Sequence, residues 1–96
     1  MQVLAISKML PGATPEKVNA LAVAEAQKGW DLYKAGVVRN WYFRTDMPGA
    51  VVMLECESVD AARAIFAEAP LVKAGLIDFD YIPLGPYVPL EALFAR

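Results

Sequence analysis

Residues 37–56 constrain the fold most. They read Val37-Val38-Arg39-Asn40-Trp41-Tyr42-Phe43-Arg44, then Thr45-Asp46-Met47-Pro48-Gly49, then Ala50-Val51-Val52-Met53-Leu54-Glu55-Cys56. Two runs rich in β-branched and aromatic residues, joined by a short segment holding Asp, Pro and Gly, predict a β-hairpin. A hairpin alone is marginal in water, so both its faces need cover from the flanking segments.

Those segments supply two helices and two more strands. Residues 2–10 are apolar on both alternations, with Val3, Ala5 and Met9 against Leu4, Ile6 and Leu10, as in a central strand covered on both sides. Pro11-Gly12 ends it. Thr14-Pro15-Glu16 then supplies a hydroxyl N-cap, a first-turn proline and an acid, predicting a helix that runs to about Lys34 and is closed by Gly36. Its inward stripe is Val18, Leu21, Ala22, Glu25, Gly29, Leu32 and Tyr33. Ser58 caps a second helix from Val59 to about Ala69, limited by Pro70, with residues 71–75 as a link. Residues 76–82 alternate as a last strand. The tail, residues 83–89, is broken by prolines and leads into a short amphipathic helix over residues 90–96.

The order β-α-β-β-α-β is the ferredoxin-like plan, an α+β fold with an antiparallel four-stranded sheet and two helices on one face. The 96 residues predict one such domain spanning 1–96. The hydrophobic fraction is 57%, against about 45–50% in an ordinary domain, and mean hydropathy is +0.36. The sheet face without helices is not polar either, so a second copy is expected to cover it, giving a homodimer or a higher multiple. The tail carries Leu84, Tyr87, Val88, Leu90, Leu93 and Phe94, and is expected to dock on its own body or on that partner.

Several function classes are excluded or disfavoured. The net charge is −2 with no basic stripe, so nucleic acid is not an expected partner. There is no histidine and one cysteine, which removes Ser-His and Cys-His catalysis, histidine-ligated haem and almost every zinc site. No metal or other cofactor is expected. The lone Cys56 reads as a small core hydrophobe in a reducing, cytoplasmic setting. The start lacks a basic segment ahead of an apolar one, and no run approaches the ~20 apolar residues of a membrane span, so neither signal peptide nor membrane is expected.

Ala24-Glu25 on the first helix, Leu32 and Gly36 at its end, Arg39, Tyr42 and Arg44 on the second strand, Pro70-Leu71 and Leu84 together resemble the dimeric α/β-barrel superfamily. Within it, the chain is similar to the small muconolactone-isomerase-like domains, from which it departs in lacking histidine. The resemblance covers nearly the whole chain. It implies a homodimer or a multiple of one, with a small cavity between sheet and helices or between sheets. It also implies isomerisation by proton transfer on an unsaturated lactone from aromatic breakdown.

The polar residues divide by hairpin register, since a one-residue slip reverses every side chain. Pairing Thr45 with Ala50 puts Asn40, Tyr42 and Arg44 on one face with Val51, Met53 and Glu55. Arg39, Trp41 and Phe43 then join Val52, Leu54 and Cys56 on the more apolar face, which is assigned to the helices. Arg39 would there meet Glu25, either as a partly buried ion pair tying helix to sheet or as an anion-binding arginine beside a base. On the other face Arg44 is a candidate to bind an anion, Tyr42 to donate a hydrogen bond and Glu55 to shuttle a proton, with Met53 among the apolar contacts. The alternative there is interface salt bridging between Arg44 and Glu55 of paired subunits. Asp78 and Asp80 share one face of the last strand, as a cation site would or, more commonly, an acidic outer face. The ligand expected is a small hydrophobic compound with one carboxylate or carbonyl. The competing reading is a non-catalytic oligomeric or ligand-binding module.

Overall fold

Each half of the chain is a strand, a helical segment and a strand, and local chemistry sets the boundaries. The computed structural model describes residues 1–94. Its elements are β1 (Gln2–Met9), α1 (Pro15–Ala20), α2 (Ala22–Lys34), β2 (Val38–Phe43), β3 (Ala50–Glu55), α3 (Val59–Phe66), α4 (Pro70–Lys73), β4 (Ile77–Leu84) and α5 (Val88–Phe94). The four strands pair antiparallel in the order β2-β3-β1-β4, the ferredoxin-like arrangement.

The caps are where the sequence put them. Thr14 Oγ1 accepts the Lys17 N–H at 3.2 Å, and Ser58 Oγ accepts that of Ala61 at 3.0 Å. At the end of α2 the Gly36 N–H donates to Tyr33 O and the Val37 N–H to Leu32 O, the two bonds of a Schellman turn. Gly36 has φ +80, which an L side chain would resist, and the turn feeds α2 directly into β2.

Three expected elements are revised. The long first helix breaks at Leu21 (φ −107, ψ 5) into α1 and α2. The second helix stops at Phe66, and the expected link after Pro70 contains the one-turn α4, since a proline at the first helical position starts a turn as well as ending one. In the hairpin Phe43, not Thr45, faces Ala50, so the register shifts by two residues. The six-residue loop is held by Arg44, whose Nε and Nη2 donate to Asp46 at 2.9 and 2.6 Å. A shift of two preserves the faces: Trp41 and Phe43 lie with Val52, and Asn40 and Tyr42 with Met53 and Val51.

The core is lopsided. Val3, Ala5, Val52, Leu54, Ile77 and Phe79 point from the sheet to one side, where Ala62 and Phe66 of α3 and Leu71 of α4 close over them. Val3 and Leu54 are 0% exposed. Neither α1 nor α2 contains a single buried residue, although α2 carries the expected apolar stripe. The opposite face of the sheet holds the half-buried Leu4, Ile6, Val51 and Met53. At one end of that face Lys8 pairs with Asp80 at 2.7 Å. Asp78 turns back onto the Phe79 N–H at 2.8 Å, so the two aspartates do not converge.

The tail does not dock on its own body. Tyr87, Val88, Leu90, Leu93 and Phe94 are all exposed, and the molecule measures 58 × 29 × 20 Å. Its radius of gyration, 15.5 Å, exceeds the roughly 12–13 Å of a compact chain of this length. The last two residues of the helix expected over 90–96 lie outside the described residues. No helix among the described residues is long and apolar enough to cross a membrane.

Candidate functional site

No residue of the apolar stripe of α2 is fully buried, because the stripe roofs a cavity. Both ends of the helix are held, and its middle stands away from the sheet. At the C-terminal end Trp30 stacks on Tyr33 (5.7 Å) and Tyr33 meets Trp41 of β2 edge-on (5.5 Å). Nearer the N-terminal end, Glu25 Oε1 accepts the backbone N–H of Leu71 at 3.0 Å. That bond fills a vacancy at α4, where Ala69 occupies the cap position without a side chain to accept it.

The space between is a cavity of about 720 Å³, open on one side. Its roof is Val18, Ala22, Glu25, Ala26, Gly29 and Leu32, and its floor is Ala50, Val52, Val38, Ile77 and Phe79. Trp41 and Phe43 border it along the edge strand β2, whose far end is open, so that Phe43 is 86% exposed. The polar side chains on the lining are sparse: Ser7, Asn19, Lys28 and Glu25. Among the described residues Glu25 is the only carboxylate and Lys28 the only cation on the wall. A large apolar cavity with a few polar groups suits a small ring compound held by one or two hydrogen bonds.

The expected site residues separate. Glu25 borders the cavity, whereas Tyr42 meets it only along the strand edge, its side chain sharing the opposite sheet face with Val51 and Met53. Arg39 does not meet Glu25: it sits at a β-bulge between Val38 and Asn40, which gives the inward position to Val38 and leaves Arg39 exposed. The expected Arg39–Glu25 ion pair is therefore replaced by the Glu25–Leu71 bond. Arg44 is committed to Asp46, whose carboxyl it holds below the usual range by hydrogen bonding, and lies off the cavity. Met53 and Glu55 are on the sheet face away from α2, so no ligand in this cavity touches them.

Three polar lining residues, Ser7, Asn19 and Lys28, escaped the sequence reading. Ser7 interrupts the inward row Val3, Ala5, Met9 of β1, and its Oγ accepts the Ala50 N–H at 2.8 Å where the β1–β3 ladder ends. A hydroxyl on an otherwise apolar row was the available signal. Lys28, three residues after Glu25, flanks the same stripe and is half-buried without an ion-pair partner among the described residues.

Fold and cavity together define a ferredoxin-like α+β domain with a half-open apolar cavity between helix and sheet. Among solved structures the chain is similar to 5-chloro-2-hydroxyhydroquinone dehydrochlorinase from Burkholderia phenoliruptrix in complex with 2,5-dihydroxybenzoquinone. The TM-score is 0.73 at 20% identity, over 88% of this chain and 94% of that one, a likeness that speaks for the fold. No family model matches the chain, and no curated protein does.

Proposed function

We propose that this chain is a small-molecule-binding domain of the dimeric α/β-barrel superfamily that works as a homodimer or a multiple of one, in the cytoplasm. Its ligand is a small, largely apolar ring compound of the aromatic-derived or lactone type. The observation that carries this reading is the 720 Å³ cavity with Glu25 as its one carboxylate among the described residues. The structural neighbour holds 2,5-dihydroxybenzoquinone, a single-ring compound, which supports a small ring compound as the ligand.

In the catalytic form of the proposal, the muconolactone-isomerase-like one, Glu25 takes a proton from the ligand and returns it to another atom of the same molecule. One oxygen of the carboxylate is fixed by Leu71, and among the described residues no donor meets the other, which leaves it free for the ligand. Lys28 on the same wall would steady negative charge developing on a ring oxygen. The Glu25–Leu71 bond equally favours a second reading, in which Glu25 only ties α2 to α4 and the domain binds without reacting.

The dimer is supported by two apolar surfaces left bare. The outer sheet face spans about 19 × 24 Å, or roughly 450 Å², short of the ~800 Å² per partner typical of a stable interface. The exposed tail supplies further apolar surface, so its docking on the partner follows from the same need. Arg44, Met53 and Glu55 would contact a ligand only at such an interface.

The test is a titration of the protein with hydroxyquinones, unsaturated lactones and aromatic acids, read by thermal shift and calorimetry. Binding lost in a variant with the cavity filled supports the site. Wash-in of solvent deuterium into the bound compound, lost in Glu25→Gln, supports the reaction, and binding without wash-in supports the second reading. No binding by any of these compounds overturns the proposal.

A further inference from the structure

The roof of the cavity contains a glycine where a helix has least reason to hold one. Gly29 lies inside α2, four residues after Glu25 and three before Leu32, at the centre of the stripe that faces the sheet. Glycine is the least favourable helix-interior residue after proline, and at the centre of an inward stripe the ordinary occupant is a large apolar side chain. Its φ does not explain it, because Gly29 is not among the residues with positive φ. Close packing does not explain it either: a Cβ built on Gly29 meets no atom within 4 Å, apart from the helix's own turns and adjoining residues. Ala22, on the same stripe, is small too, and the floor below includes Ala50 and Val52.

We infer that Gly29 is the specificity-determining residue of this site, its bare backbone giving the face of a flat ring a place to lie against α2. Glu25, one turn away on the same helix face, stands about 5–6 Å from Gly29 between β-carbon positions. That is the separation at which a carboxylate reaches a hydroxyl on the rim of a ring seated on Gly29. A side chain at position 29 would fill the slot that the ring occupies. The inference rests on the ligand site proposed above and adds to it the shape of the ligand and the residue that sets it.

The experiment measures thermal stability and ligand affinity in Gly29→Ala, Gly29→Leu and the wild type. The probes are 2,5-dihydroxybenzoquinone, catechol and the bicyclic 1,4-naphthoquinone. Stability and binding are expected to move in opposite directions. Gly29→Ala gains helix propensity with nothing in its way, raising Tm by roughly 4–8 °C, while the monocyclic probes bind at least ~10-fold more weakly. Gly29→Leu keeps or raises Tm and loses the probes altogether. A fall in Tm in Gly29→Ala would show the space to be occupied, and undiminished binding in Gly29→Leu would place the ring elsewhere. Either result overturns this inference and leaves the site standing. No binding of any probe by the wild type overturns the site and the inference together.

Discussion

Glu25 of α2 and the backbone N–H of Leu71 lie 3.0 Å apart across 46 residues of sequence, so that one helix supplies the missing N-cap of another. Glu25→Ala should lower stability by about 1 kcal/mol, the usual effect of removing a cap. Glu25→Gln keeps an acceptor oxygen and should hold within ~0.5 kcal/mol of the wild type, while losing any proton transfer. Urea denaturation of both variants checks this, and an equal loss in the two would show that charge, not the cap, matters there.

Phe66 anchors the filled half of the core, 5% exposed and 4.7 Å from the ring of Phe79. Phe66→Ala should lower stability by about 3–5 kcal/mol, enough to unfold a marginal domain at ambient temperature. Trp41→Ala, on the cavity side, should lower it by much less, because Trp41 is half-exposed and the space beside it is already open. The contrast between the two in chemical denaturation tests the lopsided core.

Tyr81 has its pKa raised above the ordinary value, chiefly by burial beside Phe66 and Phe79, next by the charge of Asp78, with Arg63 over its ring acting the other way. The fold thus favours the neutral phenol. Its contribution is complete below about pH 10 and is lost as pH rises through the folded-state pKa. Wild type should accordingly lose stability at alkaline pH relative to Tyr81→Phe, in paired denaturation curves taken from neutral to alkaline pH.

Met53 sits half-buried between Leu4 of β1 and Asn40 of β2 on the face away from the helices. In the proposed dimer, Met53→Glu should convert the associated form to single chains, as read by light scattering after size exclusion over a range of concentrations. An unchanged mass would put the interface on another surface, with the tail and the rim around Phe43 the next to be substituted.

The fold was legible because its signals are local. Thr14, Ser58, Gly36 and Pro70 mark element ends by side-chain and backbone chemistry that acts within one turn, and strand alternation placed Trp41 and Phe43 on the helix side even with the hairpin register off by two. The site was less legible because it depends on standoff, which no residue encodes alone. The stripe on α2 looks the same whether it packs on the sheet or arches above it. A bulge at Arg39 reverses which residue points inward, and a bulge leaves little trace in alternation over so short a strand. Glu25 stood out as a carboxylate on an apolar face, but its partner is a backbone N–H, which looks alike at every position of a sequence.

The division of the molecule into a filled half and a vaulted half leaves recognition mostly to the roof. The floor is shared, since Val38, Val52, Ile77 and Phe79, with Phe66 and Leu71, belong to the core and also line the cavity, whereas no residue of α2 is fully buried. Selection can therefore re-aim the vault at new guests by exchanging small residues along a single helix, with the part that resists unfolding left untouched.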